Sequence, residues 1–264
     1  MNIHGLFDDM WDLYARINPQ VVKVKELIEK REGRPVKNDH IALRTFNHPR
    51  INRKVLAQSF LNSGYVEVED LKFEKKKLDA TYFTHNDDSL TRVFISELRL
   101  EEFSQELQDT INRLVDQLSN KAIEQFDFCN YGVPWQMITE DTYNFLKEES
   151  EYAAWVATFG FIVNHFTISI NDCDTFENLE QVNSFLKENG YRVNNSGGEI
   201  KGSVEQGLEQ SSIMAENVLV EFDALEYKPV EIPGCYYEFA LRHNNFDGFI
   251  AGSADKIFES TDNK

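Results

Sequence analysis

Two segments of the chain alternate between apolar and polar residues with the two-residue period of a β-strand. In residues 38–46, one strand face is largely apolar and the other face carries His40 and Arg44. In residues 164–171, one face is again apolar, and the other carries His165, Thr167, Ser169 and Asn171. The pattern predicts two strands that each hide an apolar face against helices and turn a histidine toward a polar cavity.

Helical periodicity surrounds both strands, since apolar residues recur there at steps of three and four. The Asn18-Pro19 pair separates the first two helices, and Gly64 and Gly190 end two others. A capping box of Asp174 and Glu177 is expected to start one of them. The helices are predicted over residues 3–17, 19 to about 33, 53–63, 101–118, 140–155, about 174–189 and 246–259.

The two histidine strands begin segments of matching length. Gly64 follows His40 by 24 residues, and Gly190 follows His165 by 25 residues. In both intervals a strand, a turn and an amphipathic helix precede the glycine. Each segment ends in a strand with a lone carboxylate, Glu97 in the first and Glu238 in the second. The sequence therefore predicts a duplicated β-α-β-β-β module in an α+β protein.

These segments define the expected domain organisation, which is a single domain over residues 1–264. Its parts are a first module at 36–98, a helical insertion at 99–160, a second module at 161–243, and a C-terminal helix and tail at 244–264. The second module offers more strand candidates than the pattern requires, at about 191–195, 198–203, 210–215, 217–223 and 235–242.

Composition narrows the function classes. The chain has 45 acidic and 27 basic residues, which gives a net charge of −18. Such a surface repels phosphate backbones and is not attracted to anionic membranes, so we expect neither nucleic acid nor a membrane as partner. The cysteines are few and widely spaced, which indicates neither a disulfide framework nor a thiolate zinc site: Cys129, Cys173 and Cys235. Without a signal peptide or a long apolar run, a cytoplasmic protein is expected. The sequence does not identify protein partners.

Two imidazoles and one carboxylate on inward strand faces have the ligand types of a non-haem Fe(II) site, with coordination positions left open. The predicted ligands are His40, His165 and Glu238. These ligand types alone do not separate Fe(II) from other divalent ions. Glu97 has three interpretations: a fourth ligand, a group beside the ligands, or an exposed acid, of which the exposed acid is favoured.

Candidate substrate contacts lie near these ligands. Arg44 follows His40 by four residues on the same strand face, and a guanidinium is well suited to hold a carboxylate with two hydrogen bonds. Arg242, on the strand face of Glu238, is a second candidate. Gln210 and Ser211, with Ser212, are candidate hydrogen-bonding groups from a neighbouring strand. A 2-oxo acid with a distal carboxylate would fit this set.

With these residues in place, the chain resembles the 2-oxoadipate dioxygenase/decarboxylase family, which lies in the vicinal oxygen chelate, or glyoxalase-like, superfamily. The resemblance spans about residues 3–261. The segments that carry it are Asn-Asp-His-Ile-Ala-Leu-Arg-Thr-Phe at 38–46, Val-Asn-His-Phe-Thr at 163–167, Gln-Ser-Ser at 210–212, Tyr-Glu-Phe-Ala at 237–240 and Phe-Glu-Ser-Thr at 258–261.

The resemblance implies two β-α-β-β-β modules in a barrel of the vicinal-oxygen-chelate type, with added helices. It implies an Fe(II) oxidoreductase that converts 2-oxoadipate and O₂ to 2-hydroxyglutarate and CO₂ in lysine degradation. It also implies His40, His165 and Glu238 as iron ligands and Arg44 as the contact of the substrate carboxylate. The implied reaction is an oxidative decarboxylation followed by hydroxylation of the shortened chain.

Two alternatives stay open. A four-ligand site that includes Glu97 would instead indicate a glyoxalase-like lyase, isomerase or hydrolase, in which the metal acts as a Lewis acid. The other alternative is a metal-free module that binds a small molecule without chemistry. Metal content and oxygen uptake separate the three hypotheses.

Overall fold

The structure is a computed structural model, and it describes residues 2–224, 228–250 and 260. Helices and strands both contribute extensively, which confirms the predicted α+β class. In the described part of the chain, no helix combines the length and the apolar content needed to cross a membrane.

The helices and strands have the following bounds. Among the described residues, the α-helices are α1 (Ile3–Ile17), α2 (Pro19–Glu32), α3 (Arg53–Leu56), α4 (Gln58–Leu61), α5 (Gln105–Val115), α6 (Asn120–Ile123), α7 (Glu140–Glu149), α8 (Glu151–Phe159) and α9 (Leu179–Glu188). The strands are β1 (Asn38–Phe46), β2 (Val66–Phe73), β3 (Leu78–Thr84), β4 (Arg92–Leu98), β5 (Val163–Ser169), β6 (Lys201–Ser203), β7 (Leu208–Ser212), β8 (Asn217–Val220), β9 (Val230–Pro233) and β10 (Tyr236–Arg242). Short 3₁₀ turns lie at Leu100–Glu102, Phe128–Asn130 and Ile170–Asp172.

The described residues form two compact units, and β1 contributes to both of them. The first unit contains the described residues of 1–13, 42–164 and 219–232, and the second contains those of 14–41, 165–218 and 233–264. The His40 end of β1 therefore belongs to the second unit and the Arg44 end to the first. The predicted single domain and its module boundaries stay predictions.

The first unit contains the first β-α-β-β-β module from Ala42 onward. Its strands follow the order β2-β3-β4-β1, and both the β2-β3 and the β3-β4 pairs are antiparallel. The predicted helix over residues 53–63 is two short helices, α3 and α4, which meet at Ala57. Asn52 starts α3, because its side chain accepts hydrogen bonds from the backbone N–H groups of Lys54 and Val55.

The helical insertion of the first unit differs from the prediction in two places. The helix expected over residues 101–118 is limited to α5, which follows the 3₁₀ turn at Leu100–Glu102. The helix expected over residues 140–155 is divided into α7 and α8 at Ser150, whose φ of −155° and ψ of 107° are extended. The Ser150 side chain accepts a hydrogen bond from the backbone N–H of Ala153, so this residue caps a new helix. A local serine cap has therefore interrupted an otherwise continuous helical pattern.

The second unit contains most of the second module, whose strands follow the order β5-β10-β7-β6. Strand β10 runs parallel to β5 and antiparallel to β7. The β5-β10-β7-β6 order matches the β1-β4-β3-β2 order of the first module, so the duplication predicted from the sequence is confirmed in the strand order.

Several expectations for the second module were wrong in detail. The capping box of Asp174 and Glu177 does not start α9; Asn178 caps it, by accepting from the backbone N–H of Gln181. The strand expected at 191–195 is reduced to a bridge between Val193 and Ile213. The segment predicted at 217–223 contributes β8, which pairs with β9 in a separate two-stranded sheet. Asn171 lies in a 3₁₀ turn beyond the end of β5.

Helices α1 and α2 confirm the two predicted N-terminal helices, and they help to hold β10. Gly33 ends α2 with a φ of 72°, and its N–H donates to the Glu29 carbonyl. Tyr14 donates its hydroxyl hydrogen to the Tyr236 carbonyl at 2.5 Å, and Asn18 Oδ1 accepts from the Cys235 N–H at 2.6 Å. The predicted C-terminal helix does not extend over residues 246–250, and its remainder, 251–259, lies outside the described residues.

Candidate metal centre

The three predicted metal ligands come together in the second unit. His40 lies on β1, His165 on β5 and Glu238 on β10. In the parallel β5-β10 pair, Glu238 is opposite Thr167, two residues after His165, so both side chains lie on the same sheet face. One ligand atom from each of the three residues lies within 4.8 Å of the other two.

The cluster is compact and almost completely shielded from solvent. Glu238 Oε1 lies 3.5 Å from His40 Nε2, and Glu238 Oε2 lies 3.2 Å from His165 Nε2. The two imidazole rings are nearly perpendicular, with centroids 5.7 Å apart. The exposed fractions are 1% for His40, 4% for His165 and 0% for Glu238. Both imidazoles therefore turn Nε2 toward one carboxylate.

Besides the two histidines, the neutral side chain of Gln210 contacts the carboxyl group of Glu238. Burial raises its pKa to about 8, although a hydrogen bond from Gln210 opposes that rise. Gln210 Nε2 donates to Glu238 Oε1 at 2.5 Å. Because an ionised carboxylate is costly in a buried site unless a cation is in contact with it, this environment favours a bound cation beside Glu238.

Asp39 fixes the orientation of the His40 ring. Asp39 Oδ1 accepts a hydrogen bond from His40 Nδ1 at 2.8 Å, which makes Nε2 the nitrogen that can bind a metal ion. His40 Nε2 lies 3.1 Å from the Thr167 hydroxyl. Burial opposes ionisation of Asp39, but hydrogen bonds from His40 and Arg242 outweigh it and hold the pKa of Asp39 well below its usual range.

Sequence reasoning missed Asp39 and two aromatic neighbours of the ligands. Strand alternation assigns Asp39 and His40 to opposite faces, so it contains no signal for their contact. The Tyr236 ring stacks on the His165 ring at 4.6 Å. The Phe249 ring meets the His40 ring edge-on at 4.8 Å. Tyr236 could have been found from its place in β10. Phe249 lies in the segment predicted as a C-terminal helix, and that prediction indicates no contact with His40.

The predicted substrate contacts have different surroundings. Arg44 belongs to the first unit, is 3% exposed, and has its guanidinium carbon 5.1 Å from the ring centroids of both Tyr152 and Trp155. Gln210 contacts Glu238, as described above. Ser211 Oγ is buried and has no hydrogen-bond partner among the described residues. These roles in substrate binding stay predictions.

Arg242, the other predicted clamp, is engaged within the protein. Its Nε and Nη2 donate to the two carboxylate oxygens of Asp39 at 2.7 and 2.9 Å. Ser212, which was expected beside the substrate, has its hydroxyl 2.7 Å from the hydroxyl of Ser260. The contacts of Arg242 are therefore those of a group that holds the neighbour of a predicted metal ligand.

Glu97 does not join the cluster of three ligand atoms found among the described residues. It is 7% exposed, so the favoured interpretation as an exposed acid was wrong. Its Oε2 accepts from the backbone N–H of Arg53 at 2.9 Å, and its Oε1 lies 3.7 Å from Arg53 Nε. Burial raises the pKa of Glu97. Its contacts are those of a structural residue at the start of α3.

The residues of the cluster fit a divalent metal ion. Two imidazole nitrogens and a carboxylate oxygen are the usual protein ligands of such ions, and three ligands leave coordination positions open for a substrate. The Asp39 hydrogen bond also holds His40 in the tautomer that a metal requires. The donor set, its burial and its orientation therefore all agree with a site for a divalent metal ion.

The duplicated fold and the buried His-His-Glu cluster together define an α+β protein of two β-α-β-β-β modules with a candidate metal site. A Ralstonia eutropha protein, provisionally described as a member of the glyoxalase superfamily, shares the fold, with a TM-score of 0.79 over 94% of this chain and 85% of the other, at 20% identity. The sequence model of the family described as 2-oxoadipate dioxygenase/decarboxylase matches residues 5–245. The chain belongs to this family, which confirms the resemblance seen in the sequence, and its relatives of that name are enzymes.

Individual relatives agree with this assignment. The chain is 34% identical to the chloroplastic/amyloplastic 2-oxoadipate dioxygenase/decarboxylase of Oryza sativa, over 98% of this chain and 78% of that protein. A crystal structure of the Oryza sativa hydroxyglutarate synthase in complex with 2-oxoadipate matches with a TM-score of 0.90 and 33% identity, over 98% and 91% of the two chains. A Shewanella frigidimarina protein, provisionally described as a hydrolase, matches at 47% identity with a TM-score of 0.88, over 95% and 98%.

Proposed function

We propose that this chain is an Fe(II)-dependent dioxygenase that converts 2-oxoadipate and O₂ to 2-hydroxyglutarate and CO₂, as a step of lysine degradation. The observation that carries the proposal is the buried cluster of His40, His165 and Glu238, with ligand atoms within 4.8 Å of one another in a chain of this family. The complex of 2-oxoadipate with the related Oryza sativa protein supports the choice of substrate. The cytoplasmic location expected from the sequence is part of the proposal.

The proposed reaction is balanced with one molecule of O₂ for each substrate. The bond between the keto carbon and its carboxylate breaks, and the carboxylate leaves as CO₂. One oxygen atom enters the new carboxylate of the shortened five-carbon chain, and the other becomes the hydroxyl group beside it. The 2-oxo acid supplies the electrons, so no separate reductant is required.

His40, His165 and Glu238 would hold the iron. When bound, Fe(II) supplies the redox chemistry that activates O₂ and an electrophilic centre for the 2-oxo group. The protein supplies the orientation: Asp39 holds the His40 ring, and Gln210 holds one oxygen of Glu238. The site is buried, which keeps bulk water away from reactive groups.

Arg44 is our candidate for the contact of the distal substrate carboxylate. Its guanidinium is nearly completely buried beside the rings of Tyr152 and Trp155. Aromatic faces stabilise a cation in a position where water is scarce. A planar guanidinium pairs with a carboxylate through two parallel hydrogen bonds, so it would favour dicarboxylic 2-oxo acids over those with an apolar end.

The proposal is tested with protein loaded anaerobically with Fe(II) and mixed with oxygenated buffer and 2-oxoadipate. We expect O₂ uptake, CO₂ release and 2-hydroxyglutarate formation in equal amounts. With ¹⁸O₂, one label should enter the new carboxylate and one the hydroxyl group. 2-Oxoglutarate and 2-oxopimelate test chain length, and a 2-oxo acid of similar length without the distal carboxylate tests the role of charge.

Three results would contradict the proposal. Metal binding without oxygen uptake on any 2-oxo acid would favour the lyase, isomerase or hydrolase alternative. Absence of metal from protein expressed with iron, cobalt and zinc in turn would favour the metal-free binding module. A product formed without oxygen consumption would also separate the hydrolase class from the dioxygenase class.

A further inference from the structure

Arg242 has all the nitrogen atoms of its side chain engaged by groups of the second unit. Nε and Nη2 donate to the two oxygens of Asp39, and Nη1 donates to the Gly248 carbonyl at 2.8 Å, with the Phe246 carbonyl at 3.4 Å. Its side chain is 10% exposed. A guanidinium held on both edges has little capacity left to bind a substrate carboxylate.

The carboxylate that Arg242 holds is the one that holds His40. Asp39 Oδ1 is shared, since it lies 2.8 Å from His40 Nδ1 and 2.9 Å from Arg242 Nη2. Asp39 Oδ2 accepts from Arg242 Nε at 2.7 Å. The forked pair therefore sets the rotation of the Asp39 carboxylate, and that rotation sets the plane of the His40 ring.

Arg242 also fixes the segment that follows β10. Its contact with the Gly248 carbonyl places the neighbouring Phe249, whose ring lies edge-on against His40 at 4.8 Å and 5.3 Å from the Arg242 guanidinium carbon. The backbone of Arg242 is held as well, because Asn171 accepts from its N–H and donates to its carbonyl, both at 2.8 Å. Arg242 thus supports His40 from two sides.

We propose that Arg242 is a positioning residue of the metal centre, which holds Asp39 against His40 and fixes Phe249 on the His40 ring. The inference rests on the proposed metal centre and changes the role of Arg242 from substrate clamp to support of a ligand. Glu238 and Arg242 lie on the same strand, so β10 supplies one ligand directly and orients another through Asp39.

The test uses Co(II) as a probe, because its absorption spectrum reports the geometry of the ligands and its binding does not depend on turnover. We expect Arg242→Met to weaken Co(II) affinity roughly 10- to 100-fold and to change the spectrum. Arg242→Lys, which keeps the charge and loses the fork, should recover part of the affinity. In the Fe(II) enzyme, kcat should fall while the KM for 2-oxoadipate changes by less than about threefold.

Three further variants show whether a loss of Co(II) affinity comes from misfolding and whether Arg242 acts through Asp39. Arg242→Met leaves a buried carboxylate without its cation, so the double variant Asp39→Asn, Arg242→Met provides a neutral pair. Because both residues act through His40, the losses of Co(II) affinity in Asp39→Asn and Arg242→Met should not add in the double variant. Arg34→Met is the matched control, since Arg34 forms an exposed pair with Asp174 in the same unit and should leave Co(II) affinity unchanged.

Three outcomes would overturn the inference. Unchanged Co(II) affinity with a much raised KM would make Arg242 a substrate clamp. Lower thermal stability with unchanged Co(II) affinity and spectrum would make it a structural residue only. Failure of the unaltered protein to bind Co(II) or Fe(II) would remove the metal centre and the proposed function with it, and is thus distinguishable from the other two.

Discussion

At the candidate metal centre, the pairing of charged groups is not visible in the alternation of residues along a strand. Asp39 and His40 are consecutive strand residues, so their side chains start on opposite faces. The Asp39 carboxylate nevertheless lies 2.8 Å from Nδ1 of the His40 imidazole. The buried arginine of the same strand, Arg44, has aromatic rings beside it. The partner that each charged side chain contacts therefore indicates whether the side chain has a structural or a binding role.

For Arg44, we expect Arg44→Ala to bind metal normally and to lose substrate affinity. A carboxylate contact with a buried guanidinium contributes about 2–3 kcal/mol, so the Kd for 2-oxoadipate should rise roughly 30- to 150-fold. Anaerobic titration of the Co(II)-loaded protein with 2-oxoadipate measures this change. The Kd of Arg44→Lys should lie between those of the unaltered protein and Arg44→Ala. An unchanged Kd for Arg44→Ala would show that Arg44 is structural.

For Glu97, we expect Glu97→Ala to reduce stability and to leave the metal content unchanged. The change removes the acceptor of the Arg53 N–H and the carboxylate beside its side chain, which should lower the free energy of unfolding by about 1–3 kcal/mol. Urea unfolding and metal analysis measure the two quantities. Glu97→Gln keeps an acceptor and serves as the control; loss of metal in both variants would support the four-ligand alternative.

Two backbone segments approach each other closely where α8 ends and the chain turns toward β5. Gly160 follows α8 with a φ of 66° and a ψ of −139°, a conformation that glycine alone adopts readily. The next residue, Phe161, exchanges hydrogen bonds of 2.8 and 2.9 Å with the backbone of Gly132. A Cβ atom at Gly160 would lie 2.0 Å from the Gly132 carbonyl oxygen, so the turn into β5 depends on a missing side chain.

We therefore expect Gly160→Ala to destabilise the protein by about 3 kcal/mol or more, since both the backbone conformation and the clash oppose alanine. Gly33→Ala is the control: Gly33 has a φ of 72°, but a Cβ added there would have no atom within 4 Å, so its cost should be about 1 kcal/mol. The midpoints of urea unfolding measure the loss of stability in both variants. Equal losses in the two variants would show that the close approach to Gly132 is not maintained in solution.

The three candidate ligands are far apart in the sequence, but they lie together in one unit of the fold. Residue 40 comes from β1, 165 from β5 and 238 from β10. A metal ion bound by all three would therefore connect segments that are separated by more than half of the chain. Because the unfolded chain lacks this arrangement, metal binding should favour the folded state.

We expect Fe(II) or Co(II) at about one hundred times its Kd to stabilise the protein by about 2.7 kcal/mol. Hydrogen exchange should become slower in β5 and β10, the strands that carry His165 and Glu238. Thermal unfolding of apo and loaded protein measures the overall effect. His165→Ala should show no stabilisation by the metal. His243→Ala should be stabilised as much as the unaltered protein, because His243 pairs with Glu209 outside the cluster. An equal effect in His165→Ala would mean that the metal binds elsewhere.

The N-terminal helices, the two histidine strands, the duplication and the ligand triad could all be predicted from the sequence. Each depends on periodicity or on spacing, which local backbone geometry imposes on the residues themselves. The interruption at Ser150 was less accessible, because a short cap competes with a continuous helical pattern over only a few residues. The break at Ala57 has no capping side chain at all, so the sequence contains no cap signal there. The start of α9 at Asn178 rather than Asp174 has the same origin.

The sequence by itself determined that this chain is a duplicated α+β protein of the 2-oxoadipate dioxygenase/decarboxylase family with a His-His-Glu candidate site. Only the tertiary structure decided which partner each buried charge has: Arg242 with Asp39, Gln210 with Glu238, and Glu97 with Arg53. The physical reason is that periodicity assigns a residue to a face, whereas a hydrogen bond needs two atoms within about 3 Å, and that distance depends on rotamers and on segments distant in sequence.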